Sequence, residues 1–436
     1  MKLHASIVLS IGAVALLSCR DREVIRTEGP LAVTAARLVD PEPENLLDHA
    51  RGVVVTSRTG EDSFESSALH SIDGDPQSLW SSPPGDPQQS LTVALPTLTE
   101  VTAVGFSSEK AVRKARAPKN IQFDGSLDGS AFFPLVTAVT DKAADTQLFR
   151  TQPVRLRSLR VSLREGLGPS DTVDVGSLLL RGNEVEPLRE RRIAGRWKLN
   201  EDLAQFEQSG ARMTGRVEWK EPMEIEGGTN GRIYRFVWLR GFQYGLGAAA
   251  VTDDSRSLSG IWWFEESNPF HLGAPWFGEK QSGEAPPRSM PGLLKRYLET
   301  TGRFPLYGIR IADDDLVDRS ASSETIAEVA RFLKQTDGRR FRFIAGEYRA
   351  PSIAENMKRS ERQLASFRDV MNKAGVDISR IEFVAAGNDP GGKPPVLTKV
   401  QRAVYSTVEL VDLDWKPRDM IEDARAKRNA ATPASH

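Results

Sequence analysis

The chain has 436 residues, with 58 basic and 59 acidic side chains and a net charge of −1. That balance argues against a dedicated nucleic-acid binder, which carries a basic excess; 39% hydrophobic and 27% charged residues suit globular domains rather than disorder. A single cysteine excludes an intramolecular disulfide, and the length allows two or three domains at about 100–200 residues each.

Met1-Lys2, the apolar run from Ile7 to Leu17 and then Ser18-Cys19 read as a secretory signal. The run is too short to span about 30 Å of hydrocarbon. With Leu16 three residues before it and Ser18 just before it, Cys19 resembles the lipobox cysteine of bacterial lipoproteins. An ordinary secretory signal is the plainer alternative. The resemblance implies removal of residues 1–18, lipidation of Cys19 and stable anchoring through more than one acyl chain. Arg20, where inner-membrane lipoproteins carry Asp, points to the outer membrane, and we expect the periplasmic face. Residues 19–44 hold Pro30, Pro41 and Pro43 and read as a tether, with a short strand through Leu31-Ala32-Val33 as the alternative.

From 45 to 185, short β-like runs recur between turn residues, the pattern of a sandwich or barrel. Expected strands are Gln89–Leu95, Glu100–Phe106, Asn120–Ser126, Gln147–Pro153, Leu156–Leu163 and Val173–Arg181. Leu91, Val93 and Leu95 alternate with polar neighbours, as in a half-buried strand. Three stretches carry a family likeness: Ser67 to Pro76 followed by Leu79-Trp80, Pro118 to Phe123 with the Ser126–Ser130 turn, and Val175 to Gly182. Together they resemble the discoidin, or coagulation factor V/VIII type C, domain. The resemblance implies an eight-stranded, galactose-binding-like jelly roll that binds glycans, lipid head groups or proteins through loops at one end. Two candidate sites follow. Asp73 and Asp75 match a loop that holds a structural Ca²⁺ in many glycan-binding relatives, and hard cations want several oxygens. The family's last-strand carboxylate is replaced here by Ser177, and stabilising a turn is the other role open to these Asp residues. The second is the basic stretch Lys110, Arg113, Lys114, Arg116 and Lys119, suited to an anionic glycan or lipid phosphate, or else a solvated loop.

Residues 191–281 hold six of the eight tryptophans. Strand-like runs at Arg212–Trp219, Ile233–Leu239 and Leu258–Phe264, with a strong hairpin signal at Asn230-Gly231, predict a small antiparallel β meander or barrel. Its Gly195-x-Trp197 opening resembles that of lipocalins; no lipid-binding function is carried over. Trp262, Trp263, Trp276 and Phe277 line a pocket, face the next domain, or fill a barrel too small for a ligand. Residues 282–292, rich in Gly and Pro, read as a linker.

Residues 293–414 change to alternating strands and helices, an α+β pattern. Strands are expected at Leu306–Ile311, Arg340–Ala345, Ile381–Ala386 and Tyr405–Val411, and helices at Ser323–Gln335, Ala354–Ala374 and Thr398–Ala403. Asn356 through Ser360, Gly375 to Ile381 with Ala386-Gly387, and Gln401-Arg402-Ala403 resemble the OmpA-like peptidoglycan-associating domain. In that family a Gly-His-Thr-Asp segment supplies the Asp that takes the diaminopimelate ammonium, and a helix Arg holds the peptide carboxylate. This sequence reads Gly346-Glu347-Tyr348-Arg349, and Gln363 stands at the Arg position. An ammonium facing Arg349 is repelled, so the site is degenerate unless Glu347 supplies the carboxylate and Arg362 the cation. Residues 415–436 form a charged tail.

The expected fold is therefore multidomain: an all-β jelly-roll sandwich, a small β meander or barrel, and an α+β OmpA-like domain. No Gly-x-Ser-x-Gly, His-x-x-x-His or Cys pair occurs, so no nucleophile or zinc signature is present. We expect a non-enzymatic, lipid-anchored cell-envelope protein that needs no cofactor beyond structural Ca²⁺. Its expected partners are the membrane, a glycan or peptidoglycan, and envelope proteins, but not nucleic acid. A structural scaffold and a glycan-acting enzyme are the alternatives.

Overall fold

The computed structural model describes residues 24–26, 44–75, 78–109, 116–140, 146–168, 172–265, 274–281, 292–336, 338–350, 352–388 and 398–416. Cys19, the signal, most of the tether, Lys110, Arg113, Lys114, residues 282–291 and the tail beyond Lys416 lie outside the described residues.

The first unit is a jelly-roll-like sandwich. Its strands are β1 (Val24–Arg26), β2 (Val54–Arg58), β3 (Trp80–Ser81), β4 (Ser90–Ser107), β5 (Pro118–Ser126), β6 (Phe133–Val139), β7 (Gln147–Gly166), β8 (Asp174–Val175) and β9 (Ser177–Glu184). The main sheet runs β2-β4-β7-β5-β6, with β9 on β4 and β1 parallel to β7; β3 pairs with β8. Sequence reading splits β4 and β7 into two strands each, yet each runs unbroken. Their pairing jumps from Ala94↔Ser158 to Thr99↔Leu156. Pro96 lies in that jump and has no N–H for a ladder, so both strands bend there and contribute to both faces of the sandwich. Leu91, Val93 and Leu95 point inward as their alternation predicts, joining Trp80, Phe106, Phe123 and Phe149 in the core.

The second unit is a closed antiparallel barrel: β10 (Gly195–Leu199), β11 (Asp202–Ser209), β12 (Arg212–Val217), β13 (Met223–Thr229), β14 (Tyr234–Arg240), β15 (Gln243–Val251), β16 (Ser257–Phe264) and β17 (Ala274–Lys280). Pairing of Trp197 with Lys280 closes it. The Asn230-Gly231 hairpin forms as read: Gly231 has φ +95°, and the Asn230 side chain accepts from the amides of Arg232 and Ile233. Aromatic rings fill the interior, with Trp276 stacked on Phe236 at 5.6 Å and Trp262 edge-on to Trp238 at 5.2 Å. Glycines make room for them. A Cβ at Gly247 would sit 2.3 Å from the Phe236 ring, and one at Gly215 2.3 Å from the Phe206 ring. Strand alternation divides the four aromatics singled out above. Trp262 and Trp276 pack inside the barrel, whereas Trp263 belongs to the core shared with the other units and Phe277 packs against it.

The third unit contains α1 (Leu294–Thr301), β18 (Arg303–Pro305), α2 (Ser323–Gln335), β19 (Phe341–Gly346), α3 (Ile353–Lys373), β20 (Ile381–Gly387), α4 (Lys399–Tyr405) and β21 (Val408–Asp412). The sheet order is β18-β21-β19-β20, with β19 and β20 parallel. Val329 and Leu333 of α2 and Phe367, Val370 and Met371 of α3 bury their apolar faces. Thr398 and Gln401 form a capping box that starts α4. The strand expected at Leu306–Ile311 is not one. The chain leaves the sheet after Pro305: Leu306 still donates to Val408 O, but the Tyr307 amide folds back onto Pro305 O and Ile309 onto Leu306 O. Those residues are apolar because they pack into the shared core, not because they pair.

All three units share one hydrophobic cluster. Polar ties reinforce it. The Val55 amide donates to Ser259 Oγ at 3.1 Å, Arg232 donates to both oxygens of Glu184, and Arg191 donates to the carbonyls of Gly52 and Pro96. Lys399 pairs with buried Asp48 at 3.2 Å.

Candidate ligand-binding site

Register places the sandwich's loops. Ser107 lies opposite Ser177, Phe106 opposite Gln147, Pro118 opposite Gly166 and Asn120 opposite Val139. The connections at 108–117, 140–146 and 167–173 therefore leave the sheets at one end. The opposite end, with Gly52, Pro96 and Glu184, is covered by Arg191 and Arg232 of the following unit. Among the described residues no side chain of another unit is seen to cover the first end, which we call the free end and take as the one that can meet a ligand.

Two of the five basic residues lie in described positions there, and both are paired. Arg116 Nη2 lies 2.8 Å from Asp174 Oδ1, and Lys119 Nζ lies 2.5 Å from Glu165. Asp174 is fully buried and also accepts from Ser81 Oγ at 2.8 Å. Among the described residues the Nε of Arg116 is buried without a hydrogen-bond partner. With both charges balanced, the described part of this end suits neutral, hydroxyl-rich groups at least as well as anions. Sequence reading missed Asp174 and Glu165. A carboxylate flanked by the two buried valines of Val173-Asp174-Val175 was the available signal, because a buried acid needs a partner.

Asp73 and Asp75 form a turn beside this end, since Ser78, which donates to Asp73, has its carbonyl close to Gly176. Asp73 is buried; its Oδ1 accepts from the Asp75 amide at 2.8 Å and from Ser78 Oγ at 2.9 Å, and its Oδ2 lies 3.0 Å from His70 Nδ1. Burial raises the Asp73 pKa, against the pull of His70. Gly74 between them abuts Asp48 and Lys399. Among the described residues no group of three or more His, Cys, Asp or Glu is placed to hold a metal. With both Asp73 oxygens engaged by protein donors and Ser177 in the last strand, this donor set does not fit calcium. It forms a turn against the third unit.

The third unit draws its four singled-out residues into one cluster. Glu347 is fully buried. Its Oε1 accepts from the amides of Tyr348 and Arg349 at 3.1 and 2.9 Å and from Arg349 Nε at 2.8 Å. Its Oε2 accepts from Gln363 Nε2 at 2.9 Å. Burial opposes the charge, but Arg349 and Gln363 outweigh it and bring the Glu347 pKa down to about 2. Arg362 turns to Asp315, which Arg359 also holds at 3.0 Å. Glu347 and Arg362 are therefore both engaged within the protein, and neither stands free as a substitute for the usual ligand-binding pair. The expectations missed Asp315, although it ends an acidic run, Asp313-Asp314-Asp315, that needs cations nearby.

The family model of the F5/8 type C domain matches residues 54–173, so the first unit carries such a domain. No curated protein matches the chain. Three solved structures similar to this chain are carbohydrate-binding modules. A family 32 module of Clostridium perfringens NanJ, in complex with galactose, is 14% identical, with a TM-score of 0.26, covering 30% of this chain and 94% of that one. Another C. perfringens family 32 module, in complex with GalNAc-β-1,3-galactose, is 18% identical, with a TM-score of 0.28 and coverage of 31% and 99%. A chitosan-binding module of a Paenibacillus chitosanase/glucanase is 16% identical, with a TM-score of 0.28 and coverage of 32% and 99%.

Proposed function

We propose that this chain is a non-catalytic glycan-binding protein of a bacterial cell envelope, and that its sandwich takes the glycan at the free loop end. The F5/8 type C match over 54–173 carries this reading. Arg116, partly exposed at this end with its charge balanced by buried Asp174, supports it, since guanidinium N–H groups donate to sugar hydroxyls. The lipobox resemblance at Cys19 supports lipid anchoring, Arg20 points to the outer membrane, and we place the protein on its periplasmic face. In the third unit the order of strands and helices supports an OmpA-like domain. The closure of Glu347 onto Arg349 favours a role in structure or protein contact over capture of an ammonium.

A glycan array probed with the full chain tests the main reading. Saturable binding that weakens at least tenfold in Arg116→Ala, with the fold intact by circular dichroism, supports it. An array on which the natural chain binds no glycan overturns it. Co-sedimentation with purified sacculi tests the third unit: we expect the chain to stay in solution, and saturable pelleting released by free diaminopimelate would refute that reading.

A further inference from the structure

A crevice of about 300 Å³ runs along the seam between sandwich and barrel. This is at the lower end of small-molecule sites, about 300–1,000 Å³, and domain junctions are where such sites concentrate. One wall is the exposed half of β2, including Ser57 and Arg58. The other is the outer face of β10, β16 and β17, including Phe277.

Arg58 is held in place on two sides. Its Nε donates to Glu61 Oε1 at 3.0 Å, and Glu61 is itself fixed by Ser67 Oγ and the Ala68 amide at 2.9 and 2.8 Å. The guanidinium carbon lies 3.5 Å from the centre of the Phe277 ring, a cation–π contact that keeps the group flat. Its two Nη groups have no hydrogen-bond partner among the described residues, so a rigid pair of donors is available at little cost in ordering. Across the crevice, Lys198 pairs with Glu201 at 3.1 Å, and Glu279 is exposed. Arg58 and Lys198 stand against Glu61, Glu201 and Glu279, Arg58 tied to Glu61 and Lys198 to Glu201. A cation meets two positive groups here, an anion meets three carboxylates, and an apolar ligand finds a largely polar wall. A neutral ligand that both donates and accepts, many times over, meets no such conflict.

We propose that this seam is a second sugar subsite, separate from the loop end, that takes one pyranose between Arg58 and the barrel wall. It rests on the glycan-binding reading. Because its walls come from two units, an occupied subsite holds them together.

The test is isothermal titration of the full chain with galactose, N-acetylgalactosamine, N-acetylglucosamine and glucuronate. The proteins are the natural chain, Ser57→Tyr, Arg58→Ala and Arg116→Ala. Ser57 is exposed, so tyrosine there fills the crevice without disturbing the core. The expected result is two sites for one of the neutral sugars. Ser57→Tyr and Arg58→Ala each weaken one of them at least tenfold and leave the other, and Arg116→Ala does the reverse. A single site, lost in Arg116→Ala and unchanged in Ser57→Tyr, overturns the seam subsite while the glycan reading stands. No heat with any sugar, together with a blank array, removes both.

Discussion

Glu347 stays ionised inside the protein only because Arg349 and Gln363 hold it there. Its folded pKa of about 2 lies below the ordinary 4.5, so its contribution is complete above 4.5 and is lost as pH falls toward 2. Arg349 is exposed and can turn to water, so Glu347→Gln mainly loses charge-assisted hydrogen bonds and is expected to cost about 2 kcal/mol, with less acid sensitivity below pH 4.5; urea titrations at pH 7 and pH 3 measure both. Glu328 has the opposite sign. Burial first, then the neighbouring Glu226 charge, push it up to about 7, against Arg212 and Arg331. Its ionisation therefore removes stability as pH rises from 4.5 to 7. His49, fully buried, is held down to about 4 by burial, against hydrogen bonds to backbone at Val53 and Ala248. It removes stability as pH falls from 6.5 toward 4. Between 4.5 and 6.5 the two oppose each other. Glu328→Gln is expected to expose the histidine's share as a fall in melting temperature on acidification through that window, steeper than in the natural chain. At this scale the sequence reading singles out Glu347, Arg349, Arg362 and Gln363, of which Glu347, Arg349 and Gln363 bond to one another. The partner of Arg362 was hidden, because Asp315, like Asp174 in the sandwich, is distant along the chain and nothing local reveals which cation reaches it.

Elements were legible where periodicity was strong. α2 spans Ser323–Gln335 as read, and α3 starts one residue earlier than expected. β4 and β7 were read as broken because Pro96 and the polar stretch near Pro153 look like turns, while the bend costs only a local jump in register. Leu306–Ile311 was read as a strand because burial and strand pairing leave the same apolar signature. Closure of the barrel was one of two alternatives in the sequence, a meander being the other, and it depends on β17 returning to β10. Its interior glycines had a meaning that only packing reveals. Gly247→Val would drive a side chain into the Phe236 ring, where a Cβ alone would stand at 2.3 Å. The expected cost is about 3 kcal/mol, with loss of the near-ultraviolet tryptophan signal. An unchanged spectrum and melting temperature would show that the interior has slack.

Across the whole molecule, the barrel is the middle of one continuous core. Its outer residues Val237, Leu246, Ala248, Ile261 and Trp263 join a cluster that reaches both neighbours. Arg235 leaves the barrel wall to donate to the carbonyls of Ala403 and Ser406 at 3.1 and 2.6 Å, at the C-terminal end of α4. Burial lowers its pKa to about 10. We expect calorimetry of the natural chain to show a single unfolding transition. Arg235→Ala should cost about 2 kcal/mol by leaving buried carbonyls unpaired and should split off the third unit as a separate step. Two transitions in the natural chain would contradict this shared core. The Asp48–Lys399 pair adds a consequence in time. The two lie 351 residues apart (399 − 48). A chain entering its folding compartment N-terminus first presents Asp48 before its counter-charge arrives. The sandwich can build its sheets in that interval, but it carries a carboxylate it cannot comfortably bury. Its final closure waits for α4 to arrive, so a chain cut short of α4 leaves its first part unfinished.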